Sequence, residues 1–311
     1  MTTLQEYDYV FPYKKIKIPF RERGERVRWP GNKLVAVKIN VPQEWWGRFF
    51  QPKVYPASGS TEAQHVLDVS YLSEGQDYDF DVGVWRALDL LDRHGLKASF
   101  MCSGGGAKHR PEVIQEIKKK GHEVAGHSFY QSRGAARMTE DEEREDLVET
   151  TAILEKVCGE RPLGWDHTGV GAHERSFRLL VEEGYFWNGD LRDDDLPYGM
   201  VINDKILVEL PHRSKTTGDY GIFCKGLEGA VKAQRSHREA ISFFRDTFDA
   251  YLETAKREWP QLITIVIHPY MSCIPERIGA LDGMLSYMKS FPEVWFTTYI
   301  DLARYWKENY L

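Results

Sequence analysis

Long apolar runs are missing from this sequence. No segment approaches the ~18 consecutive apolar residues that a membrane-crossing helix needs, and the opening MTTLQEYDYVFPYKK lacks the basic-then-apolar order of a secretory leader. A cytoplasmic protein is the expectation. Cysteine is scarce: Cys102, Cys158, Cys224 and Cys273 lie far apart and form no Cys-x-x-Cys pair, which points to reduced, packed thiols. A basic surplus is absent as well. With 41 Lys and Arg against 47 Asp and Glu, the net charge of -6 argues against a nucleic-acid partner. No linker rich in Pro, Gly or Ser divides the 311 residues, and no short repeat occurs. The expected organisation is an N-terminal arm over residues 1–32 followed by one domain over 33–311.

Alternation is what the sequence does have. LVAVKIN, KASFMC, HEVAG, PLGW, YFWNG, ILVEL, LITIVI and VWFTT read as strands rich in β-branched and aromatic residues. Between them lie helical patterns. Residues 80–94 carry Val84, Leu88 and Leu91 at helical spacing and stop at Gly95. PEVIQEIKKK starts with Pro111 at a first helical position, and Thr139 with Glu142 forms a capping box. Strands alternating with helices imply an α/β domain with a parallel sheet, most simply closed as a barrel. The segment from Pro42 to Asp79 is too long for an ordinary connection, as lids, binding loops and subunit contacts are. With the aromatic arm, it suggests a homo-oligomer.

The strands end in polar residues. LVAVKINVPQE reaches Gln43 and Glu44, and SFMC reaches Ser103 and three glycines. HEVAG ends at His127, PLGW at Asp166 and His167, YFWNG at Asp190, and LITIVI at His268. In a parallel barrel the C-terminal strand ends converge on one face, where the chemistry sits. One such histidine means little, but a set of this size implies a shared cleft. His212 in LPHRS also follows a strand and is a weaker candidate.

These residues carry a resemblance. His127-Ser128, GERPLGW at 159–165, DDLPY at 194–198 and IVIHP together resemble the polysaccharide deacetylase (NodB-homology, carbohydrate esterase family four) superfamily over about residues 33–306. GERPLGW, DDLPY and YLSEG at 71–75 are similar to the branch that holds the polysaccharide-deacetylase-type allantoinase and cyclic-imide hydrolases. The resemblance implies a distorted (β/α) barrel of about seven parallel strands. It also exposes departures. The superfamily's metal site uses an aspartate after the first strand and an H-x-x-x-H pair. Here the first strand gives Asn40-Val-Pro-Gln43-Glu44, and the pair reads His127 and Gln131. An amide oxygen is a poor zinc ligand beside imidazole or carboxylate. The superfamily's catalytic arginine after the PLGW-like strand is Asp166.

The allantoinase branch, which also loses the second histidine, works without a metal. The resemblance therefore implies a hydrolase that cleaves a C–N bond of a small amide, cyclic imide or ureide with no required cofactor. Glu44 or His127 is expected to take the proton of water, with Asp166 or Asp190 orienting the histidine and His268 protonating the departing nitrogen. Backbone amides of Ser103–Gly106 are candidates for holding an oxyanion. Trp45, Trp165, Asp190, Asp194, Glu74 and Arg277 are expected to contact substrate. Trp46, Phe49, Phe50 and Tyr71 are further aromatics for an apolar pocket. Three alternatives stand beside this reading. One is a zinc-dependent N-deacetylase of an acetylated sugar. Another is a non-standard metal set of Glu44, His127 and His167 or Asp190. The last is a catalytically silent member that binds a ligand.

Overall fold

The computed structural model describes residues 11–47, 73–168, 171–225 and 233–311. Near the N-terminus, β1 (Lys14–Ile16) precedes β2 (Val35–Gln43), which is buried at every position. Then come β3 (Ser99–Cys102), β4 (Glu123–Gly126), β5 (Gly164–Trp165), β6 (Trp187–Asn188), β7 (Tyr198–Ile202) and β8 (Lys205–Glu209). A two-residue pair, β9 (Cys224–Lys225) and β10 (Ala233–Gln234), stands apart, and β11 (Gln261–Val266) and β12 (Val294–Thr297) complete the set. The main sheet runs β1-β7-β8-β6-β5-β4-β3-β2-β11, with β12 also beside β2. All neighbours from β8 to β11, and β12 with β2, are parallel. The result is the expected α/β barrel-type fold, with its strand C-termini on one face.

Two strands depart from the reading of the sequence. Residues 198–202 form β7, a hairpin partner of β8, and β1 pairs antiparallel with β7. Asn203 and Asp204 both have left-handed φ, of 48° and 60°, as a tight hairpin turn demands. Part of the N-terminal segment therefore belongs to the sheet, and Val27 and Trp29 are buried in the core.

The helices start and stop where their caps dictate. Glu140–Cys158 opens on the Thr139/Glu142 capping box and ends at Gly159 with φ 75°. Pro111–Lys119 carries proline in its first turn, and Val84–His94 ends at Gly95 with φ 64°. Ahead of Val84 the chain forms an 11-residue π-type helix, Ser73–Gly83. Long π-type segments are rare, and short ones are frequent at functional sites.

Among the described residues no continuous backbone ladder closes the cylinder between β8 and β11. Side chains bridge that gap: Thr217 Oγ1 donates to Thr264 O at 2.6 Å, and Lys38 Nζ donates to Leu210 O at 3.0 Å. Lys38 lies inside the barrel, 3.8 Å from the centre of the Tyr299 ring. Burial pulls its pKa down to about 7, although Asp166, Glu209 and Glu123 act against that fall. Among the described residues no helix is long and apolar enough to cross a membrane.

Candidate active site

Three strand ends meet at one oxygen atom. β2 runs directly into Glu44, whose side chain is almost fully buried. β4 runs into His127, and the chain then swings away through Ser128 at φ 53°. The His127 Nδ1–H donates to the carbonyl of Asp166 at 2.6 Å, which leaves Nε2 facing Glu44 Oε1 at 3.8 Å. After β11, His268 Nδ1 bonds Asp219 Oδ1 at 3.0 Å, and its Nε2 lies 3.7 Å from the same Glu44 Oε1. Glu44 Oε2, His127 Nε2 and Gln131 Oε1 are buried without a hydrogen-bond partner among the described residues. A buried polar atom with no partner is costly, so these atoms are suited to meet a polar ligand.

Carboxylates set the charge of both imidazoles. Burial opposes protonation of His268, yet Asp219, with Glu44 and Asp79 behind it, pushes its pKa up to about 9. For His127 burial is again outweighed, here by Glu44 and Asp166, and its pKa is raised. Asp166 moves the other way. Despite burial, His212, His127 and Lys38 hold it down at about 2. Its Oδ2 accepts from Asn40 Nδ2 at 2.8 Å and lies 3.5 Å from His212 Nδ1, so His212 joins the cluster.

Backbone contacts fix the loop that carries His127. Gly104 N donates to Ser128 O at 2.9 Å, and Gly105 N to Phe129 O at 3.0 Å. Phe129 N in turn donates to both oxygens of Asp146, at 3.1 and 3.2 Å. The remaining amides of the turn are bonded as well, Ser103 N to Gln43 O at 3.2 Å and Gly106 N to Ser103 Oγ at 3.4 Å, so none of the four is left for an oxyanion. The glycines of the turn serve close packing instead. A Cβ on Gly105 would stand 2.6 Å from Trp45 Cδ1, and one on Gly104 would stand 2.6 Å from Thr150 Oγ1. Trp45 stacks on His109 with ring centres 5.0 Å apart and is partly exposed.

Other expected residues sit elsewhere. His167 turns outward: its Nδ1 bonds Asp190 Oδ2 at 2.6 Å and its Nε2 lies 3.8 Å from Glu143, so it does not join Glu44 and His127 as a metal ligand. Asp190 is committed to His167 and Asn188 rather than to substrate. Trp165 is a core residue, packed edge-on to Tyr185 and pressed on Gly126. Asp194 pairs with Arg23 at 2.9 Å and Lys17 at 3.2 Å, pinning the N-terminal segment. Arg277 donates to Met271 O at 2.9 Å, reaches Gln234 and lies over the Phe223 ring. The Glu74 side chain, Phe49, Phe50 and Tyr71 lie outside the described residues.

Two functional candidates escaped the reading of the sequence, Asp219 and Asp79. Asp219 follows a loop after β8 in a five-residue helix, Asp219–Phe223, where no strand end or motif marks it. Asp79 sits in the π-type helix and is fully buried beside the cluster.

Residues 77–185 match the family described as polysaccharide deacetylase. Among solved structures, PuuE allantoinase is similar over 98% of both chains, at 26% identity and a TM-score of 0.78. A protein described as a probable polysaccharide deacetylase from Pseudomonas aeruginosa PAO1 aligns at 27% identity and a TM-score of 0.77, over 90% of this chain and 93% of its own. A peptidoglycan-N-acetylglucosamine deacetylase of Bacillus cereus is 32% identical over 134 residues, 43% of this chain but only 46% of that protein. The metal ion of such deacetylases does not fit the residues present. Asn40 stands near the end of the first strand and donates to Asp166 and Tyr299. Gln131 replaces an imidazole, His167 faces away, and no group of three His, Cys, Asp or Glu among the described residues is arranged to hold an ion. Residues 77–185 thus carry the polysaccharide deacetylase match, within a fold similar over 90% or more of the chain to these solved structures.

Proposed function

We propose that this protein hydrolyses a C–N bond of a small amide, cyclic imide or ureide. The observation that carries the reading is the pair of imidazole nitrogens at 3.8 and 3.7 Å from a single Glu44 oxygen, in a barrel similar over its whole length to PuuE allantoinase. Amide hydrolysis needs a base for water, a donor for the developing oxyanion and an acid for the departing nitrogen. Because neighbouring carboxylates favour the protonated form of both imidazoles, Glu44 is left as the base. His268, held by Asp219, returns a proton to the nitrogen, and His127, held by the Asp166 carbonyl, faces the oxyanion. A homo-oligomer assembled through the aromatic segment belongs to the same proposal.

The test is a substrate panel with the purified protein. Cyclic ureides and imides (allantoin, hydantoin, succinimide, dihydrouracil) are compared with N-acetylglucosamine oligomers. Ring opening of at least one member of the first group and no acetate release from the second is expected. Acetate release alone would establish the N-deacetylase reading instead, and tight binding without turnover would establish a silent member.

A further inference from the structure

Asp79 occupies a place no catalytic role explains. It comes from the middle of the π-type helix, has no exposed surface and bonds two separate pieces of the active site. Its Oδ1 accepts from Tyr270 N at 2.8 Å, two residues after His268. Its Oδ2 meets Gln43 Nε2 at 2.5 Å, one residue before Glu44. One carboxyl group thus ties the end of β2 to the first turn of the helix Pro269–Ser272. Those are the carriers of the Glu44 oxygen and the His268 nitrogen that stand 3.7 Å apart.

The π-type helix is itself locked to that turn. A Cβ on Gly83 would come 2.9 Å from Pro269 C, and Arg86 reaches back to both Tyr78 OH at 2.6 Å and Cys273 O at 3.2 Å. We infer that Asp79 is a positioning residue, the strut that holds Glu44 against His268. Burial and the nearby Glu44 raise its pKa well above the usual carboxylate value, with the Tyr270 amide and His268 opposing. Asparagine has the same shape: its Oδ1 can accept from Tyr270 N, and its Nδ2 can donate to Gln43 Oε1, which is buried without a partner among the described residues, once that amide turns over. It should therefore replace Asp79, whereas alanine should not.

The inference rests on the proposed roles of Glu44 and His268, and its test needs no substrate. The ring nitrogen shifts of isotopically labelled His268 are recorded at pH 7 in the full-length protein, with and without Glu44→Gln. The pair of measurements is repeated with Asp79→Asn, with Asp79→Ala and, should the alanine variant not fold, with Gln43→Leu. The shift caused by Glu44→Gln should persist with Asp79→Asn and shrink by more than half with Asp79→Ala or Gln43→Leu. An undiminished shift in those last two backgrounds overturns the strut. Where the wild type turns over an amide, Asp79→Ala should also lower kcat by about tenfold or more with KM little changed, since misplacing catalytic groups by ~1 Å costs rate. A fall confined to KM overturns it too. A wild type inactive on every amide refutes the proposed reaction while the shift experiment still decides the strut.

Discussion

Two histidines in this barrel stand between two carboxylates with almost the same spacing. His268 has Asp219 at 3.0 Å on one nitrogen and Glu44 at 3.7 Å beyond the other. His167 has Asp190 at 2.6 Å and Glu143 at 3.8 Å. Distance alone would grade them equal. They differ in what remains unmet. Around His268, Glu44 Oε2 has no partner among the described residues, a second imidazole shares the carboxylate, and the side chain keeps 14% of its surface exposed. Around His167, Glu143 is already bound by Arg175 and Ser176, the ring is 3% exposed, and the adjoining void of about 10 Å³ admits one water at most. Unsatisfied polar atoms beside reachable space separate a site from a strut; the Asp-His-Glu pattern does not.

Substitution should pull the two apart. Glu44→Gln and His268→Ala are each expected to lower turnover by about 10²- to 10⁴-fold, the usual worth of a positioned acid or base; Glu44→Gln should leave urea stability little changed, while His268→Ala should also lower it, because it strands the buried Asp219. His167→Ala should lower stability and spare turnover. Removing the imidazole leaves two buried carboxyl groups without their shared partner, a loss of about 3–5 kcal/mol when one member of a buried pair goes, while the remaining folded protein keeps its kcat. Steady-state kinetics beside urea unfolding read both. A His167 variant that is stable but inactive would erase the distinction.

The same comparison shows what the sequence could reveal. Glu44, His127 and His268 were legible because parallel strands deliver their C-terminal residues to one face whatever lies between them. His167 was misread although the signal was present. Side chains alternate along a strand, so Trp165 and His167 share a face and Asp166 takes the other. Their rings do touch, with centres 5.7 Å apart, on the outer side under the helices Glu140–Cys158 and Glu174–Glu182. Trp165 and Asp166 could not both line one cleft. Asp219 and Asp79 were not legible at all. Each reaches the cluster through tertiary contact across many residues, 49 from Asp219 to His268 and 36 from Gln43 to Asp79, with no periodic pattern to mark it. β1 and β7 were lost for a related reason: a strand of three to five residues has too little alternation to announce itself.

A pH profile sharpens the contrast on the side of His268. With its pKa raised to about 9 by Asp219 and Glu44 against the effect of burial, the proton needed by the leaving nitrogen is present at neutral pH. kcat should therefore fall as pH rises through about 9, by tenfold per unit above it. Linkage gives stability the same sign. A histidine whose folded pKa exceeds its unfolded value of about 6.5 contributes fully below that pH, and the contribution is lost between there and about 9. Glu44→Gln should move the basic limb of kcat to lower pH, because it removes one of the carboxylates that retain the proton. A limb that stays in place would mean that another group donates.

The smallest effect expected is from chelation. A zinc centre needs three or four imidazole, thiolate or carboxylate ligands directed at one point. In this cleft Gln131 contributes an amide, Asn40 donates its hydrogens to Asp166 and Tyr299, and the His167 nitrogens face Asp190 and Glu143. Glu44, His127 and His268 remain, with the two Nε2 atoms 3.8 and 3.7 Å from one Glu44 oxygen, the arrangement to which the proposed function gives proton transfer. Prolonged treatment with a strong chelator, followed by assay and by metal analysis of the protein, should leave turnover unchanged. Loss of activity that returns with stoichiometric zinc would mean that these three side chains close around an ion after all, and would move the role of base from Glu44 to a metal-bound water.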